Sequence, residues 1–378
     1  MAEITKKKIV IVGGGMFGTA LIAKFRDAPV SAVANIYITL IEPRDDFIYM
    51  PLSIRNCIED VTDEFVKPYD KLFARRPSLG EVKKGLVVGV DQSRKIVQLE
   101  SGEEMQYDVL VLSTGTIYNN PSKIPLTSHD EIVKYLTAQR DLIADSYHII
   151  IIGAGTTGCE LAAEIADRFR SKKKVTIIHS QSLPLSDIYC IKLRQLVLTY
   201  LLQSRVEVLL KSRATPHEDG SVTIVRQGRN GEEPTTETRE GNTIILANSA
   251  RPCTDMFPFE WKNEKGFVKV KPTLQLTEDD SIFAIGDITD MPDAKTGFKT
   301  QQAIPVAYAN IMALLKEKTL NKQYIPQPES VALQMGKWRA TGQTHLPLIG
   351  PVLLPQFVLS AVLKEDVGAK RGVKAVGY

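Results

Sequence analysis

Two glycine clusters carry the most explicit chemistry in this chain. Gly13-Gly14-Gly15-Met16-Phe17-Gly18 follows the β-branched run Ile9 to Val12, and Gly153-Ala154-Gly155-Thr156-Thr157-Gly158 follows His148-Ile149-Ile150-Ile151-Ile152. Each G-x-G-x-x-G stands between a strand and a helix, as a dinucleotide-binding turn requires. The first glycine (Gly13, Gly153) makes the turn, the second (Gly15, Gly155) lets the backbone approach a pyrophosphate, and the third (Gly18, Gly158) lets the helix lie close to the strand. The helix start then offers free N–H groups and a positive dipole end to the phosphates. One such unit suits one dinucleotide. Two, 140 residues apart, suit an enzyme that passes electrons from one cofactor to the other.

The residues that would read the riboses differ between the two units. Glu42 ends the strand Ile36 to Ile41 and can accept ribose hydroxyls, although it lies 29 residues after Gly13, so the crossover must hold an insertion. The second unit's strand, Val175 to Ile178, ends in His179-Ser180 with no carboxylate. A 2′-phosphate is not repelled there, so either NADH or NADPH is expected to serve, with the basic turn Lys172-Lys173-Lys174 as a candidate aid. The apolar strand Val109 to Leu112 ends in Ser113-Thr114-Gly115, and Ser281 to Ile285 ends in Gly286-Asp287.

The elements that must hold these residues are those of an α/β protein with two Rossmann-like dinucleotide-binding domains, the second inserted in the first. The expected boundaries are 1–120 and 246–325 for the first domain, 121–245 for the inserted second domain and 326–378 for a C-terminal region. Pro121 and Pro125 mark the outgoing link, and Val222 to Val225 with the polar run to Arg239 reads as a hairpin with a long exposed loop. The 378 residues suffice for two or three domains, and 43% hydrophobic with 24% charged residues is ordinary globular composition. Forty-seven Lys and Arg against 44 Asp and Glu leave +3, too weak a field to point to nucleic acid. No His/Cys cluster has metal-ligand spacing, so no metal is expected.

The ordered set of GGGMFG, Glu42, LSTGT, GAGTTGCE and TEDDSIFAIGD resembles the flavoproteins with two dinucleotide-binding domains. The run Phe47 to Arg55 and the His179-Ser180 pair resemble, more narrowly, the small apoptosis-inducing-factor-like group that includes ferroptosis suppressor proteins. The resemblance implies FAD on the first fingerprint, with Gly13, Gly15 and Gly18 on its pyrophosphate, Glu42 on its adenosine ribose, Val88 giving backbone bonds to adenine, and Asp287, beside Gly286, on the ribityl or pyrophosphate segment. Thr114-Gly115 belongs to the same site. Pro51 would lie beside the isoalloxazine, with Arg55 reaching a phosphate or the flavin edge. Gly153, Gly155, Gly158 and His179 would hold NADH or NADPH. Larger relatives pair a lysine after Pro-Leu-Ser with the glutamate of the second glycine helix. Glu160 is present here, but Ile54 stands at the lysine position. Lys299 and Gln302, at a helix start aimed at the flavin, are candidates to bond the flavin or its acceptor, or else cap the helix. Ser249, where relatives carry glycine, makes a close backbone approach harder.

The function implied is an FAD-dependent NAD(P)H:acceptor oxidoreductase reducing a quinone-type acceptor. Its rivals are a redox-responsive, pro-death signalling flavoprotein with little turnover and, from another enzyme class, a flavin monooxygenase. Disulfide chemistry is not expected, because Cys57, Cys159, Cys190 and Cys253 are at least 31 residues apart and Cys57 is alone near Pro51. The charged lead Glu3 to Lys8 leaves no room for a signal peptide, and Ala2 excludes N-myristoylation, which fits a cytoplasmic protein. The tail Leu346 to Leu363 carries no charge but is broken by three prolines. It is expected either to pack on the protein, with Phe357, Leu359 and Leu363 inside, or to make a weak membrane-surface contact together with Lys364, Lys370, Arg371 and Lys374. The oligomeric state is left open.

Overall fold

The computed structural model describes residues 6–117, 124, 126–228, 232–247, 251–363 and 369–378. Pro121, Pro125, Ser249, Lys364, Glu365 and Asp366 lie outside them. Two parallel sheets dominate. The first has the spatial order Ile282–Ala284, Val109–Leu112, Lys7–Val12, Ile36–Glu42, Gly80–Lys84, and every neighbouring pair is parallel. The second has the order Glu207–Leu209, Lys174–Ile178, His148–Ile152, Thr243–Leu246, again all parallel. Both have helices on their faces, and the strands read as continuous apolar runs because both sides are covered: Ile9, Ile11, Ile149 and Ile151 are fully buried.

The chain leaves the first sheet after Leu112, builds the second, and returns with Ile282–Ala284. The insertion required between Gly13 and Glu42 is a short helix, Val30–Val33, added after the glycine helix Met16–Arg26. The polar run after Val225 is more ordered than expected. Thr235–Glu240 pairs with Ser221–Arg226, and Ser212–Pro216 completes an antiparallel meander, since alternating threonines form a strand even when exposed.

The C-terminal region is an antiparallel sheet, Val331–Gln334, Ala340–Leu346 and Gly350–Leu353, followed by the helix Gln356–Leu363. Leu359 and Leu363 are buried against this sheet, as the packed reading of the tail requires, but Phe357 is 76% exposed. Val331, Leu333 and Met335 join the core of the second sheet. The last residues turn back to the first: Val373 and Val376 are buried in its core, and Arg26 donates to the Ala375 carbonyl at 3.1 Å. No helix among the described residues is long and apolar enough to cross a membrane.

Candidate functional site

The glycines of each fingerprint divide by what surrounds them. Gly13 sits at φ +101°, and a Cβ there would meet the Ser113 carbonyl oxygen at 2.6 Å. A Cβ on Gly18 would lie 2.1 Å from the Gly13 carbonyl oxygen, and one on Gly158 would lie 1.9 Å from that of Gly153. These positions need glycine for the fold itself. Gly15 and Gly155 do not. Each has φ near −70° at its helix N-cap, a conformation open to any residue, and, its chain neighbours aside, no atom of the described residues lies within 4 Å of a Cβ built on either. Each therefore lines a space that the protein leaves clear at a helix start, which is where a pyrophosphate belongs.

Around the first cradle, Glu42 is buried and already engaged. Its Oε2 accepts from Gly14 N at 2.6 Å, and its Oε1 accepts from Arg44 Nε at 2.7 Å. Tyr69, whose hydroxyl donates to the Gly14 carbonyl at 2.7 Å, is pushed far above its usual pKa by burial and by Glu42. The Glu42 carboxylate in turn raises the pKa of Arg44. Arg44 and Tyr69 escape a fingerprint reading. The available signal is the basic residue two places after the strand-ending acid. Thr114 Oγ1 donates to the Cys253 carbonyl at 2.6 Å, and Gly115 has φ +69° with clear space around it, so the Thr-Gly turn joins the two crossings between the sheets. Val88 is half-exposed at a register shift in the strand Val87–Asp91, which belongs to a separate antiparallel sheet.

Pro51 opens a short turn, Met50–Leu52, that leads into Ser53–Asn56, and this segment packs on the second glycine helix, Thr156–Phe169. The Ser53 hydroxyl and Arg55 Nε are buried without a partner among the described residues. The Arg55 guanidinium pairs with Glu164 at 3.0 Å, with 12% and 5% of the two side chains exposed. Glu160, one turn earlier, is not part of that pair. Its Oε1 accepts from Gln334 N at 2.9 Å, and burial raises its carboxyl to about 8, opposed by that N–H and assisted by Glu164. Ile54 packs into the apolar core beside them. The ion pair that the resemblance would place at positions 54 and 160 is here formed one residue and one helical turn further on, by Arg55 and Glu164.

Asp287 and Lys299 line one narrow cleft with Phe17, Lys295 and Tyr324. Gly286, at φ +83°, abuts the Phe17 ring of the first glycine helix, so Asp287 is brought to that helix from a distant strand. Lys299 is held within the protein: Nζ lies 3.6 Å from Asp293 and 3.8 Å from Glu329, and it donates to the Gln327 carbonyl at 3.3 Å. Among the described residues, Gln302 Oε1, in the first turn of the helix Thr300–Leu315, is buried without a partner, as is the Thr296 hydroxyl just before that helix. Four polar atoms without partners, on Ser53, Arg55, Thr296 and Gln302, thus lie on the two segments assigned to the flavin. A bound group with donors and acceptors would satisfy them.

At the second fingerprint, His179 Nδ1 accepts from Ala154 N at 3.3 Å, and Nε2 is buried without a partner among the described residues. Burial lowers the pKa of this imidazole. The basic turn is not at this site. Lys174 begins the strand Lys174–Ile178 and His179 follows its end, so the two lie at opposite ends of the sheet. Lys173 donates to the Ala144 carbonyl at 2.6 Å, at the end of the helix His129–Asp145, and Lys174 lies 3.7 Å from Glu207. The four cysteines form no disulfide. Cys57 and Cys159 are buried, and burial pushes the Cys57 thiol up to about 12. Among the described residues no group of three or more His, Cys, Asp and Glu side chains could hold a metal ion.

This geometry agrees with what the chain resembles. It is 29% identical to apoptosis-inducing factor homolog B of Dictyostelium discoideum over 84% of both chains. It is 28% identical to ferroptosis suppressor protein 1 of Mus musculus, over 92% of this chain and 91% of the relative. Its fold matches the sulfide:quinone oxidoreductase of Aquifex aeolicus with TM-score 0.77 at 16% identity, covering 97% of this chain and 92% of the other. It also matches NDH2 of Plasmodium falciparum in complex with NADH, with TM-score 0.74 at 14% identity over 94% and 93%. Residues 7–311 match the pyridine nucleotide-disulphide oxidoreductase family, which spans both glycine cradles and the Gly286-Asp287 turn. The chain belongs to that family.

Proposed function

We propose that this protein is an FAD-dependent NAD(P)H:acceptor oxidoreductase whose acceptor is a quinone. The observation that carries this reading is the pair of clear cradles at Gly15 and Gly155, each bounded by glycines that the fold itself requires. FAD, when bound, takes hydride from NAD(P)H and delivers the electrons onward. Gly15 and the start of Met16–Arg26 hold its pyrophosphate, Glu42 its adenosine ribose, and Asp287 its ribityl chain. Pro51 and Gln302 flank the ring from the two segments that carry the unpartnered polar atoms. Gly155 and the start of Thr156–Phe169 hold NAD(P)H. Residues 1–120 and 246–325 then act as the FAD domain, 121–245 as the NAD(P)H domain and 326–378 as a bracket over both.

The quinone assignment rests on two supports. A sulfide:quinone oxidoreductase shares the fold, and no thiol pair is placed to take the electrons in this chain. Direct transfer to a small acceptor remains. The protein's work is to bring two rings together and exclude water, not to supply acid–base chemistry. The test is steady-state oxidation of NADPH and NADH with a soluble quinone. Turnover with either supports the reading, whereas absence of turnover in protein that holds FAD contradicts it. The C-terminal region presents Trp338, Leu348, Ile349 and Phe357 to solvent, which suits a weak, salt-sensitive membrane-surface contact.

A further inference from the structure

In a dinucleotide-binding unit the adenosine ribose is read at the end of the strand that follows the glycine helix. Here that place is His179, followed by the uncharged Ser180, Gln181 and Ser182. His179 has its Nδ1 committed to Ala154 N, so the proton sits on Nε2. No carboxylate is available to favour free ribose hydroxyls.

The chain leaving the neighbouring strand, Glu207–Leu209, runs beside this segment. His179 N donates to the Leu209 carbonyl at 2.8 Å, Lys211 N to the Gln181 carbonyl at 2.9 Å, and Ser212 N to the His179 carbonyl at 2.9 Å. Gln227 N donates to the Lys211 carbonyl at 3.0 Å. Lys211 is thereby fixed next to Gln181 with φ +51°, a left-handed conformation uncommon for lysine. Its side chain is exposed. Two other cations nearby are used within the protein: Arg226 Nε donates to Ser212 Oγ at 3.5 Å, and the buried Arg194 donates through Nε to the Pro184 carbonyl at 3.0 Å and through one terminal nitrogen to Gln181 Oε1 at 3.0 Å and the Leu183 carbonyl at 3.2 Å. Arg194 thus shapes the loop, and Lys211 is the exposed cation whose backbone is bonded to it.

We propose that Lys211 reads the 2′-phosphate of NADPH. Its ammonium supplies charge-assisted hydrogen bonds to the phosphate oxygens at a site whose strand end carries no repelling carboxylate. This inference rests on the assignment of the second fingerprint to NAD(P)H, and it adds a specificity determinant that comes from the next strand of the sheet.

Isothermal titration of the FAD-loaded protein with adenosine 2′,5′-bisphosphate and, separately, adenosine 5′-monophosphate tests it. The wild type is expected to bind the bisphosphate more tightly. Lys211→Asn keeps a residue that accepts the left-handed backbone and removes the charge. It should weaken the bisphosphate about tenfold, the scale of one charge-assisted hydrogen bond, and leave the monophosphate unchanged. Lys211→Arg should retain the discrimination. Unchanged bisphosphate affinity in Lys211→Asn, or equal weakening of both probes, would overturn the role of Lys211 while leaving the nucleotide site intact. If neither probe binds the wild type, the nucleotide assignment fails and this inference fails with it.

Discussion

Gly15 and Gly18 are three residues apart and both are glycine, yet the structure gives them different reasons. A Cβ on Gly18 collides with the backbone of Gly13, whereas one on Gly15 meets nothing. Gly18→Val is therefore expected to destabilise the fold severely, as overpacking against backbone does. Gly15→Val should fold, with a melting temperature close to that of the flavin-stripped wild type, but purify without flavin. Flavin occupancy and thermal melts of both variants check this, and a yellow Gly15→Val protein would contradict the assignment. Glu160 gives a second residue-scale test, in pH. Its carboxyl is raised from its ordinary value to about 8 by burial, so between about pH 4.5 and 8 the folded chain binds more protons than the unfolded chain. Stability from this group is complete at low pH and falls as pH rises through about 8. Glu160→Gln should remove that slope, and the gap between variant and wild-type melting temperatures should grow in the variant's favour from pH 5 to pH 8. A gap that does not change with pH would contradict the raised pKa. The glycines were legible in the sequence because their spacing is dictated by local geometry. The Arg55–Glu164 pair was not, because it joins residues 109 apart in sequence, and neither its partner nor its register is encoded locally.

The second glycine helix and the C-terminal sheet show what elements add to residues. Thr156–Phe169 packs against both Ser53–Asn56 and Val331–Gln334, so one helix ties the Pro51 segment, the second fingerprint and the tail together. Glu164→Ala leaves Arg55 buried with no carboxylate, which should cost about 3 kcal/mol or more. Chemical denaturation reads this loss, and a change within ~0.5 kcal/mol would mean that the pair is solvated. The tail supports a second element-scale prediction. Removing residues 369–378 strips Val373 and Val376 from the first core and takes away the Ala375 carbonyl to which Arg26 donates. At about 1.5–3 kcal/mol for each buried aliphatic side chain, the truncated protein should melt well below wild type; an unchanged melt would show that this segment does not hold the core. Leu359 and Leu363 lie inside as the packed reading of the tail expects. Phe357 departs from it because the helix is short and one-sided, and its outer face has no further element to cover it. The basic turn at Lys172 to Lys174 was misplaced for a related reason: it is close to His179 in sequence, but the length of a strand lies between them.

At the scale of the whole molecule, two parallel sheets each end in a glycine cradle, and the described segments that link them include Ser53–Asn56, the helix His129–Asp145, the Thr114–Cys253 contact and the C-terminal bracket. The two-sheet plan was legible because two complete fingerprints cannot share one sheet end, whereas the bracket was not, since an exposed antiparallel sheet has no motif of its own. The family's description includes disulphide chemistry, but this chain has no dithiol at the site, and its buried thiols are held protonated. A variant with all four cysteines replaced by Ser or Ala should keep its quinone reductase rate where it folds and holds flavin; loss of rate under those conditions would restore a thiol step. The central claim is that electrons enter at one cradle and leave from the other cofactor to a quinone. Its most direct test is anaerobic addition of NADPH to the purified protein, followed by a quinone, while the flavin's visible absorbance is recorded. The account predicts bleaching by NADPH and recovery on adding quinone. Protein whose flavin is not bleached by NADPH or NADH, or is bleached but not restored by any quinone, would contradict it.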